Sequence, residues 1–460
     1  MRQVTASEQH TRRTTVALVA AVVAFAVQQT AIVPAVHDVQ DALHSTPEWS
    51  SWLITVYLIV ATVATPAMGR MGDLHGRRTM LLTGLGLFAV ASIGAAAAPS
   101  VAVLLCCRAV QGIGGAVYPL ALALARQTAP EDRSTTTISL LTGAFGVGTA
   151  VGFVAGGALA QFVSWRAIFA VGALLVLVAG WLVLRAVPDA DSRATGGFDL
   201  AGTIVLAVSA MALLSGLTLV VSLGWRSPVT IGLLVLAVLA AVAWACHERR
   251  TEDPLVDLGV LRRRPVLVGN LATTGLGWAL FGSYLLIPRF ALTDPGHAGY
   301  GLAADTATVG LIMLPLAIGQ TVSGPAAGAV GRRIPSRVVF AAGLVLLAIG
   351  LAVLAVTRTS VLAVAVGALL LGVGAGAALQ AGSAVTTEDV PSDVAAVSAA
   401  VNSTVRRLTG GLGGQVDTIL LASVATVAAY PISYGISGGL CVAGALVVLL
   451  AGRSTQQGPA

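Results

Sequence analysis

Residues 69–78, Gly-Arg-Met-Gly-Asp-Leu-His-Gly-Arg-Arg, form a short charged run between two apolar segments. Each of these segments is about 20 residues long, the length that an α-helix needs to cross a bilayer. Between Thr14 and Gly452 the chain repeats this arrangement of apolar segments and short polar turns. The pattern predicts an all-α integral membrane protein, because a membrane-spanning barrel would instead show alternating hydrophobicity.

The composition supports this prediction and argues against several other classes of protein. The chain is 56% hydrophobic and 10% charged, whereas soluble domains are about 25% charged. All 26 basic residues are arginine and occur in short clusters between apolar runs, so the net charge of +6 indicates membrane topology and no nucleic-acid partner. The four cysteines lie in apolar stretches without metal-ligand spacing, and we expect no metal and no cofactor.

A hydropathy window of about 19 residues predicts fourteen transmembrane helices in contact with the lipid bilayer. They lie near residues 15–36, 50–70, 79–98, 101–125, 136–159, 167–186, 199–222, 228–246, 266–288, 306–328, 337–356, 360–382, 395–425 and 432–452. With both termini in the cytoplasm, nineteen arginines face inward and four face outward, as the positive-inside rule requires. The absence of lysine, with abundant Ala, Gly and Val, indicates a GC-rich bacterial gene, so we expect a multi-pass protein of the bacterial cytoplasmic membrane.

The order of the segments predicts two related halves. The predicted parts are a six-helix bundle at 1–190, two linking helices at 191–250, a cytoplasmic linker at 251–265 and a second six-helix bundle at 266–460. Residues 324–333 repeat the glycine and arginine spacing of residues 69–78, with Gly328 in place of Asp73. A repeat of this kind is typical of transporters that are built from two similar bundles.

The run at 69–78 resembles the cytoplasmic loop motif of the major facilitator superfamily, Gly-x-Leu-x-Asp-x-x-Gly-Arg-(Arg/Lys), with Met71 in the leucine position. The resemblance implies the major facilitator fold, with two six-helix bundles and two central linking helices. It also implies a charged latch at the cytoplasmic gate, formed by Gly69, Asp73, Gly76, Arg77 and Arg78. The alternative interpretation is a basic turn that only fixes the orientation in the membrane.

The fourth predicted helix contains Arg108 and Gln111 in the sequence Arg-Ala-Val-Gln-Gly. A guanidinium inside a membrane span needs a polar cavity or a partner, which makes Arg108 a functional candidate. The sequence is similar to the Arg-x-x-Gln-Gly motif of the superfamily, which is associated with proton transfer in exporters. The alternative is that carbonyl groups of a neighbouring helix satisfy Arg108.

The fifth predicted helix contains Gly148, Gly152, Gly156 and Gly157. Glycines at intervals of four residues share one face of a helix and allow a second helix to approach closely. The drug antiporters of the superfamily have a similar glycine motif that includes a proline, and Phe153 replaces that proline here. We expect close helix packing at these glycines.

The first predicted helix resembles the fourteen-helix drug:proton antiporter branch of the superfamily, which has an Asp-x-Thr motif. Gln28 occupies the aspartate position and Thr30 the threonine position. An amide cannot carry a proton near neutral pH. Both residues are predicted to line the substrate cavity, but the proton carrier must lie elsewhere.

The penultimate predicted helix also resembles this branch through its Asn-x-x-x-Arg pattern at Asn402 and Arg406. Asp417 follows eleven residues after Arg406, about 16 Å farther along the helix axis, so the two side chains cannot pair within one helix. A buried carboxylate without a cationic partner favours its protonated form. We therefore expect Asp417, with Arg108, to couple proton movement to transport; a location at the outer mouth of the pathway is the alternative.

The remaining candidates for the cavity wall are polar or aromatic side chains within predicted helices: Trp278, Phe281, Gln320 and Gln380. Aromatic side chains in such a wall can bind lipophilic or cationic ligands. The resemblance implies a monomeric transporter that exports small lipophilic or cationic compounds in exchange for protons. An uptake carrier or uniporter for a polar metabolite is the main alternative. No grouping of catalytic residues supports a membrane-embedded enzyme.

Overall fold

Fourteen long helices make up most of the computed structural model, which describes residues 6–128, 131–189, 197–251, 258–387, 392–424 and 428–453. In chain order they are α1 (Ala6–Thr30), α2 (Pro47–His75), α3 (Arg77–Ala96), α4 (Val101–Thr128), α5 (Glu131–Phe162), α6 (Trp165–Ala186), α7 (Leu200–Leu223), α8 (Pro228–Glu248), α9 (Arg264–Leu292), α10 (Thr306–Val330), α11 (Ser336–Val356), α12 (Val361–Thr387), α13 (Ser392–Ser423) and α14 (Ala429–Arg453).

All but α13 are long and apolar enough to cross a membrane by length and composition. Helix α13 carries Arg406, Arg407 and Asp417, which lower its hydropathy, but its 32 residues are sufficient to span a bilayer. It packs against α9 of its own half and against α2 of the other half. Because the number of crossing helices is even, the start of α1 and the end of α14 lie at the same side of the molecule, called the terminal face below. The opposite side is called the far face.

The helix ends follow from local sequence signals. Side-chain oxygens of Ser100, Ser164, Asp199 and Asp305 accept hydrogen bonds from backbone N–H groups in the first turns of α4, α6, α7 and α10, which satisfies donors that have no partner within the helix. The third glycine of the charged run, Gly76, has a φ of +98°, a conformation that glycine adopts at little cost. It separates α2 from α3.

The boundaries of α1 differ from the predicted span at 15–36. Helix α1 ends at Thr30, and the chain then turns before a short helix at Val36–Ala42. Pro34 lies in this turn, where its ring is compatible with the irregular backbone. The turn matters because it forms part of the far-face cavity described below.

The two halves have the same packing pattern. In the first half α1 packs against α5 and α6, α2 against α4, and α3 against α4 and α6. In the second half α9 packs against α13 and α14, α10 against α12, and α11 against α12 and α14. Each helix of the first half thus has a counterpart eight helices later in the chain.

Two helix pairs form the most extensive contacts between the halves in the described residues, and they are equivalent under this repeat. The first pair is α5 of the first half with α10 of the second. The second pair is α2 of the first half with α13 of the second. Under the repeat, α13 is the counterpart of α5 and α10 is the counterpart of α2. We call α5/α10 the glycine seam and α2/α13 the polar seam, for the residues that form each of them.

The linking helices α7 and α8 pack against each other, and α7 also contacts α2 and α13. Ala210 and Leu214 of α7 are buried in a cluster with Trp52, Val56 and Ile59 of α2. Helix α8 is the least buried of the apolar helices. Several of its apolar side chains are 45–62% exposed, as expected for a helix that faces lipid: Val235, Leu236, Val238, Leu239 and Val242.

Candidate functional site

A cavity of about 310 Å³ lies between the two halves at the far face. The first half contributes side chains from the turn after α1, from the short helix and from the start of α2, and the second half contributes the last two turns of α9. The lining residues are Val33, Val36, His37, Gln40, Pro47, Ser50, Ser51, Tyr284, Leu285, Pro288, Arg289, Leu292 and Thr293. A cavity of this size can hold part of a drug-sized molecule.

The pathway narrows between the cavity and the terminal face. Between the cavity and the terminal face is a space of about 10 Å³, whose lining includes Thr55, Phe281, Gly410 and Gly414. This space has room for about one water molecule. The ring of Phe281 lies where a Cβ at Gly410 would be. The glycine thus permits helices α9 and α13 to close over this point.

Arg407 seals the polar seam on the side of the terminal face. Its guanidinium donates hydrogen bonds to the carbonyl oxygen of Ala61 at 2.9 Å, to the hydroxyl of Thr65, and to the carbonyl oxygen of Gly115 at 3.2 Å. These acceptors belong to the first half, whereas Arg407 belongs to the second. The motif analysis did not select Arg407, although its position within an apolar span was a usable signal.

Arg406 differs from its neighbour Arg407 in its hydrogen bonding. Both are partly exposed, but the one hydrogen bond of Arg406 within the described residues is a long contact of 3.5 Å to the hydroxyl of Ser403. Tyr118 of the first half and Tyr284 of the second lie within electrostatic range of its guanidinium. Arg406 therefore lies in the centre of the molecule, close to both halves.

Arg108 and Gln111 belong to a buried hydrogen-bond network inside the first half. Arg108 donates to the carbonyl oxygen of Leu53 and to Oε1 of Gln111, both at 2.8 Å, and lies over the ring of Tyr57. Gln111 Nε2 donates to the Ser92 hydroxyl at 2.8 Å. The carbonyl group of a neighbouring helix thus satisfies Arg108, as the alternative interpretation predicted.

The same network includes Gln28, whose amide donates to the Ser92 hydroxyl at 3.1 Å. Thr30 donates to the carbonyl oxygens of Ala26 at 2.9 Å and Thr149 at 3.2 Å. In this conformation four side chains predicted for the cavity wall are at most 2% exposed and bond within the first half, away from the far-face cavity: Gln28, Thr30, Arg108 and Gln111. Their role in binding substrate stays a prediction.

Most of the predicted cavity residues of the second half also lie away from the far-face cavity. Asn402 donates to Asn270 at 3.1 Å and to Thr273 at 2.8 Å on α9, inside its own bundle. Trp278 packs against Gly413, and the Gln380 side chain is near Gly328. Gln320 is partly buried on α10, and Phe281 alone of this group borders the pathway, at the narrow point.

Asp417 lies inside the second half and is 1% exposed. A Cβ at Gly282 of α9 would be 2.5 Å from its Oδ2 atom. Ser433 of α14 interacts with this carboxylate, but neither side chain forms a hydrogen bond of regular geometry. Asp417 is thus a carboxylate in the far-face half of a spanning helix without a paired cation among the described residues.

The charge pairs of the run at 69–78 lie within the first half. Asp73 Oδ1 accepts hydrogen bonds from Arg77 Nε at 3.0 Å and from Arg77 Nη2 at 2.9 Å. Arg78 donates to the carbonyl oxygen of Leu184 at 2.8 Å and lies 3.8 Å from Asp189. In this conformation Asp73 and Arg77 pair with each other across the turn between α2 and α3, and their role as a latch at the cytoplasmic gate stays a prediction.

The glycines of α5 make two different contacts. Gly148, Gly152 and Gly156 face α1, where added Cβ atoms would meet backbone atoms of Val23, Val27 and Ala31. At Gly157 a Cβ would be 2.5 Å from the carbonyl oxygen of Thr306 on α10. The first three glycines therefore pack α5 inside its own half, and Gly157 packs it against the other half.

A second polar contact between the halves involves the linking helix α7 and was not predicted. Gln415 of α13 donates to the Thr55 hydroxyl of α2 at 3.0 Å and accepts from the Thr218 hydroxyl of α7 at 2.8 Å. Trp52 Nε1 of α2 donates to the same Thr218 hydroxyl at 2.7 Å. These four residues join three helices, and nothing in the local sequence signals the pairing.

Two related helical bundles that enclose a cavity open at one face define a membrane transporter and not an enzyme. The chain belongs to the Major Facilitator Superfamily, whose sequence profile matches residues 18–414. This family assignment confirms the resemblance that the charged run at 69–78 and the other motifs indicated.

Curated relatives and solved structures agree with this assignment. Puromycin resistance protein pur8 of Streptomyces alboniger is 32% identical over 429 residues, which cover 89% of this chain and 81% of the relative. The tetracenomycin C resistance and export protein of Streptomyces glaucescens is 28% identical over 417 residues, with coverage of 89% and 76%. The crystal structure of the peptide transporter POT in complex with sulfate matches with a TM-score of 0.70 and 16% identity over 97% of this chain and 94% of that one, which confirms the fold.

Proposed function

We propose that the protein exports small lipophilic compounds of the antibiotic type across the bacterial cytoplasmic membrane, and that inward proton movement drives the export. The observation that carries the proposal is the cavity between the halves, open at the far face, together with the seal by Arg407. This arrangement is one of the two states that alternating access requires. The functions named for the relatives, resistance and export, support the direction of transport.

The arginine distribution assigns the terminal face to the cytoplasm in this proposal. The basic turn at 69–78 and both chain ends then face inward, and the cavity opens to the outside. Arg407 forms the inner seal of this outward-open state. Asp73, Arg77 and Arg78 hold α2, α3 and α6 together within the first half during the movement.

Asp417 is the proton acceptor in this proposal. It lies in the far-face half of α13 against Gly282, while Tyr284, two residues farther along α9, lines the cavity. A proton from the outside would neutralise the carboxylate in its apolar surroundings, and reorientation of the halves would release it inward. Each proton supplies about 2.3 kcal/mol per 100 mV and about 1.4 kcal/mol per pH unit.

The experiment is transport into everted membrane vesicles with an imposed pH gradient. Asp417→Asn keeps the size of the side chain but cannot exchange a proton, so we expect gradient-driven accumulation to fall at least tenfold. Asp294→Asn is the matched control, because Asp294 lies in an exposed loop and pairs with His297. Unchanged gradient-driven accumulation in Asp417→Asn would remove Asp417 from the proton role.

The same vesicles test the alternative of an uptake carrier or uniporter. Gln28 stands where the antiporter branch has an aspartate, and its amide is engaged with Ser92, so the first helix offers no titratable group at this position. An exporter accumulates substrate in everted vesicles when their interior is acidified. Loss of preloaded substrate under the same gradient would favour uptake.

A further inference from the structure

We propose that the exported compound is an aromatic anion, and that Arg406 and Arg289 are the cations that bind it along the pathway. The inference rests on the proposed export function and specifies the charge of the substrate. It differs from the expectation of a lipophilic or cationic compound that the motifs alone suggest.

Arg406 is a cation without a counter-ion. Within the described residues its hydrogen bonding is limited to the 3.5 Å contact with Ser403, and no carboxylate forms an ion pair with it. Arg407, the next residue, uses its donors on Ala61, Thr65 and Gly115. Since a guanidinium in a low-dielectric pathway requires a partner, the free donors of Arg406 form a binding site for an anionic group.

The lining of the far-face cavity is positively charged, as Arg406 is. Its lining includes Arg289 and His37 but, among the described side chains, no aspartate or glutamate. The carboxylates nearby point to other partners: Asp41 is 3.5 Å from His37, and Asp38 accepts from Thr306 of α10 at 2.8 Å. No ion pair of Arg289 occurs in the described part of the chain, so its charge is available to a ligand in the cavity.

Asp417 does not neutralise the positive charge of Arg406 and Arg289. It lies eleven residues after Arg406 on α13, about 16 Å along the helix axis, and faces Gly282 within the second half. Its 1% exposure separates it from the cavity. Arg289 therefore lies in the cavity wall and Arg406 lies between the halves near Tyr118 and Tyr284, whereas the unpaired carboxylate is buried inside the second half.

An aromatic cluster around Tyr284 lies near both arginines. Tyr284 lines the cavity and lies within electrostatic range of Arg406. It makes edge contacts with Phe281 of its own helix at 5.6 Å and with Phe153 of α5 at 5.5 Å between ring centroids. Offset and edge contacts of this kind also suit a planar aromatic ligand, so the site combines an anion-binding guanidinium with an aromatic wall.

The charge of the substrate has a consequence for the driving force. A membrane potential that is negative inside drives a monovalent anion outward, by about fiftyfold in concentration ratio per 100 mV. A cation would have to move against the same potential and past two unpaired arginines. The guanidinium also binds carboxylate groups in a bidentate geometry that lysine does not reproduce.

The test uses purified protein in liposomes with a potassium diffusion potential and an imposed pH gradient. The probes are the anionic dye 8-anilinonaphthalene-1-sulfonate and the cationic dye ethidium. We expect export of the anion and none of the cation. In Arg406→Gln anion export should fall at least tenfold, with partial recovery in Arg406→Lys, and Arg289→Gln should show a smaller loss. Arg226→Gln is the control, because Arg226 is exposed in the turn between α7 and α8.

Competition on the unmodified protein keeps the inference testable if the Arg406 variants fold poorly. The competitors 1-naphthoate and 1-naphthylmethylammonium have similar ring systems and opposite charges, and we expect the carboxylate alone to inhibit export. Export of ethidium but not of the anion would overturn the inference and leave the export function intact. Transport of neither dye under any gradient would overturn both.

Discussion

The two seams between the halves occupy equivalent positions in the repeat but have different chemistry. In the glycine seam, Gly157 lies against the carbonyl oxygen of Thr306, and Gly310 lies against that of Phe153. In the polar seam, Arg407 and Gln415 of α13 bond to residues of α2, and α7 covers the outside. The glycine seam is dominated by backbone in direct contact, with hydrogen bonds to Thr306 at its far-face end, and the polar seam is dominated by hydrogen bonds from side chains.

This difference indicates which seam moves more easily. Water or a ligand can replace the hydrogen bonds of Arg407 and Gln415 when the polar seam opens. Close backbone contact at the glycine seam has no such substitute, because its stabilisation comes from packing. We infer that the glycine seam acts as the pivot, and that the polar seam opens and closes during transport.

The largest expected effect comes from filling the glycine seam. Gly157→Ala places a Cβ 2.5 Å from the Thr306 carbonyl oxygen, and Gly310→Ala places one 2.5 Å from that of Phe153. Neither backbone group can move aside without moving its helix. We expect each substitution to lower the free energy of unfolding by about 1–3 kcal/mol and to reduce transport, as measured by thermal unfolding in detergent and by vesicle assays.

Gly143 of α5 provides the matched control, because a Cβ there would have no neighbour within 4 Å. Gly143→Ala should leave transport unchanged and stability unchanged or slightly higher, since alanine favours the helix. If Gly157→Ala transports normally and melts like the control, the glycine seam is not a close-packed pivot.

The next largest effect is expected from Arg407→Met in the polar seam. The substitution removes the hydrogen bonds to Ala61, Thr65 and Gly115 while keeping a long apolar side chain. We expect a loss of about 1.5–3 kcal/mol in stability, typical of hydrogen bonds that involve a charged group. Amide hydrogen exchange should increase in the terminal-face half of α2 and α13 but not in α5 and α10.

Arg332→Met is the control for this comparison, since Arg332 is exposed at the terminal face. Equal increases of exchange in both seams would show that the halves open symmetrically. That result would contradict the assignment of Arg407 as a local seal.

The linking helix gives a third and smaller test. Thr218 of α7 bonds to both Gln415 of α13 and Trp52 of α2, so it connects the halves through a helix outside either bundle. A double-mutant cycle of Thr218→Val and Gln415→Leu should yield a coupling energy of about 1 kcal/mol. Ser222→Ala in the same helix is the control, because Ser222 is exposed and bonds only within α7 in the described residues.

The fold was predictable because hydropathy determines where helices cross a membrane. The predicted spans agree with the fourteen helices to within a few residues at most ends, and the charged run with Gly76 correctly separated α2 from α3. The end of α1 was placed too late, since the turn with Pro34 is apolar and its hydropathy resembles that of a helix.

The site was less predictable, because a side chain on a buried helix can face its own bundle, the other half or lipid. Arg108, Arg406 and Arg407 looked alike as arginines in apolar spans, but Arg108 bonds inside one half, Arg407 across the halves, and Arg406 to almost nothing. The Gln415–Thr218 contact joins residues that are 197 positions apart, and no local pattern records such a contact.

The smallest expected effects lie at the far-face end of the glycine seam, where α10 begins. Asp305 caps the helix by accepting from the Thr308 N–H at 2.7 Å, and hydrogen bonds from Thr308 lower the pKa of Asp305 below its usual value. Asp38 accepts from Thr306, but burial, the larger influence, raises the pKa of Asp38. The two carboxylates thus respond to pH in opposite directions.

The sign of each response follows from linkage between protonation and folding. Asp305 stabilises the protein above its unfolded pKa, and this contribution disappears as the pH falls through the lower folded value. Burial makes the charged form of Asp38 unfavourable in the folded protein. The protonated form therefore contributes stability at low pH, and this stability is lost as the pH rises through the raised folded pKa of Asp38.

We therefore expect Asp305→Ala to lower the melting temperature at pH 7 and progressively less in acid, whereas Asp38→Asn should raise the melting temperature at pH 7 and leave it unchanged below the unfolded pKa. Thermal unfolding between pH 3 and pH 7 measures both, with Asp305→Asn as the capping control. If the two variants shift in the same direction at pH 7, then the anchoring of α10 at this end is not electrostatic, and the glycine seam depends on packing alone.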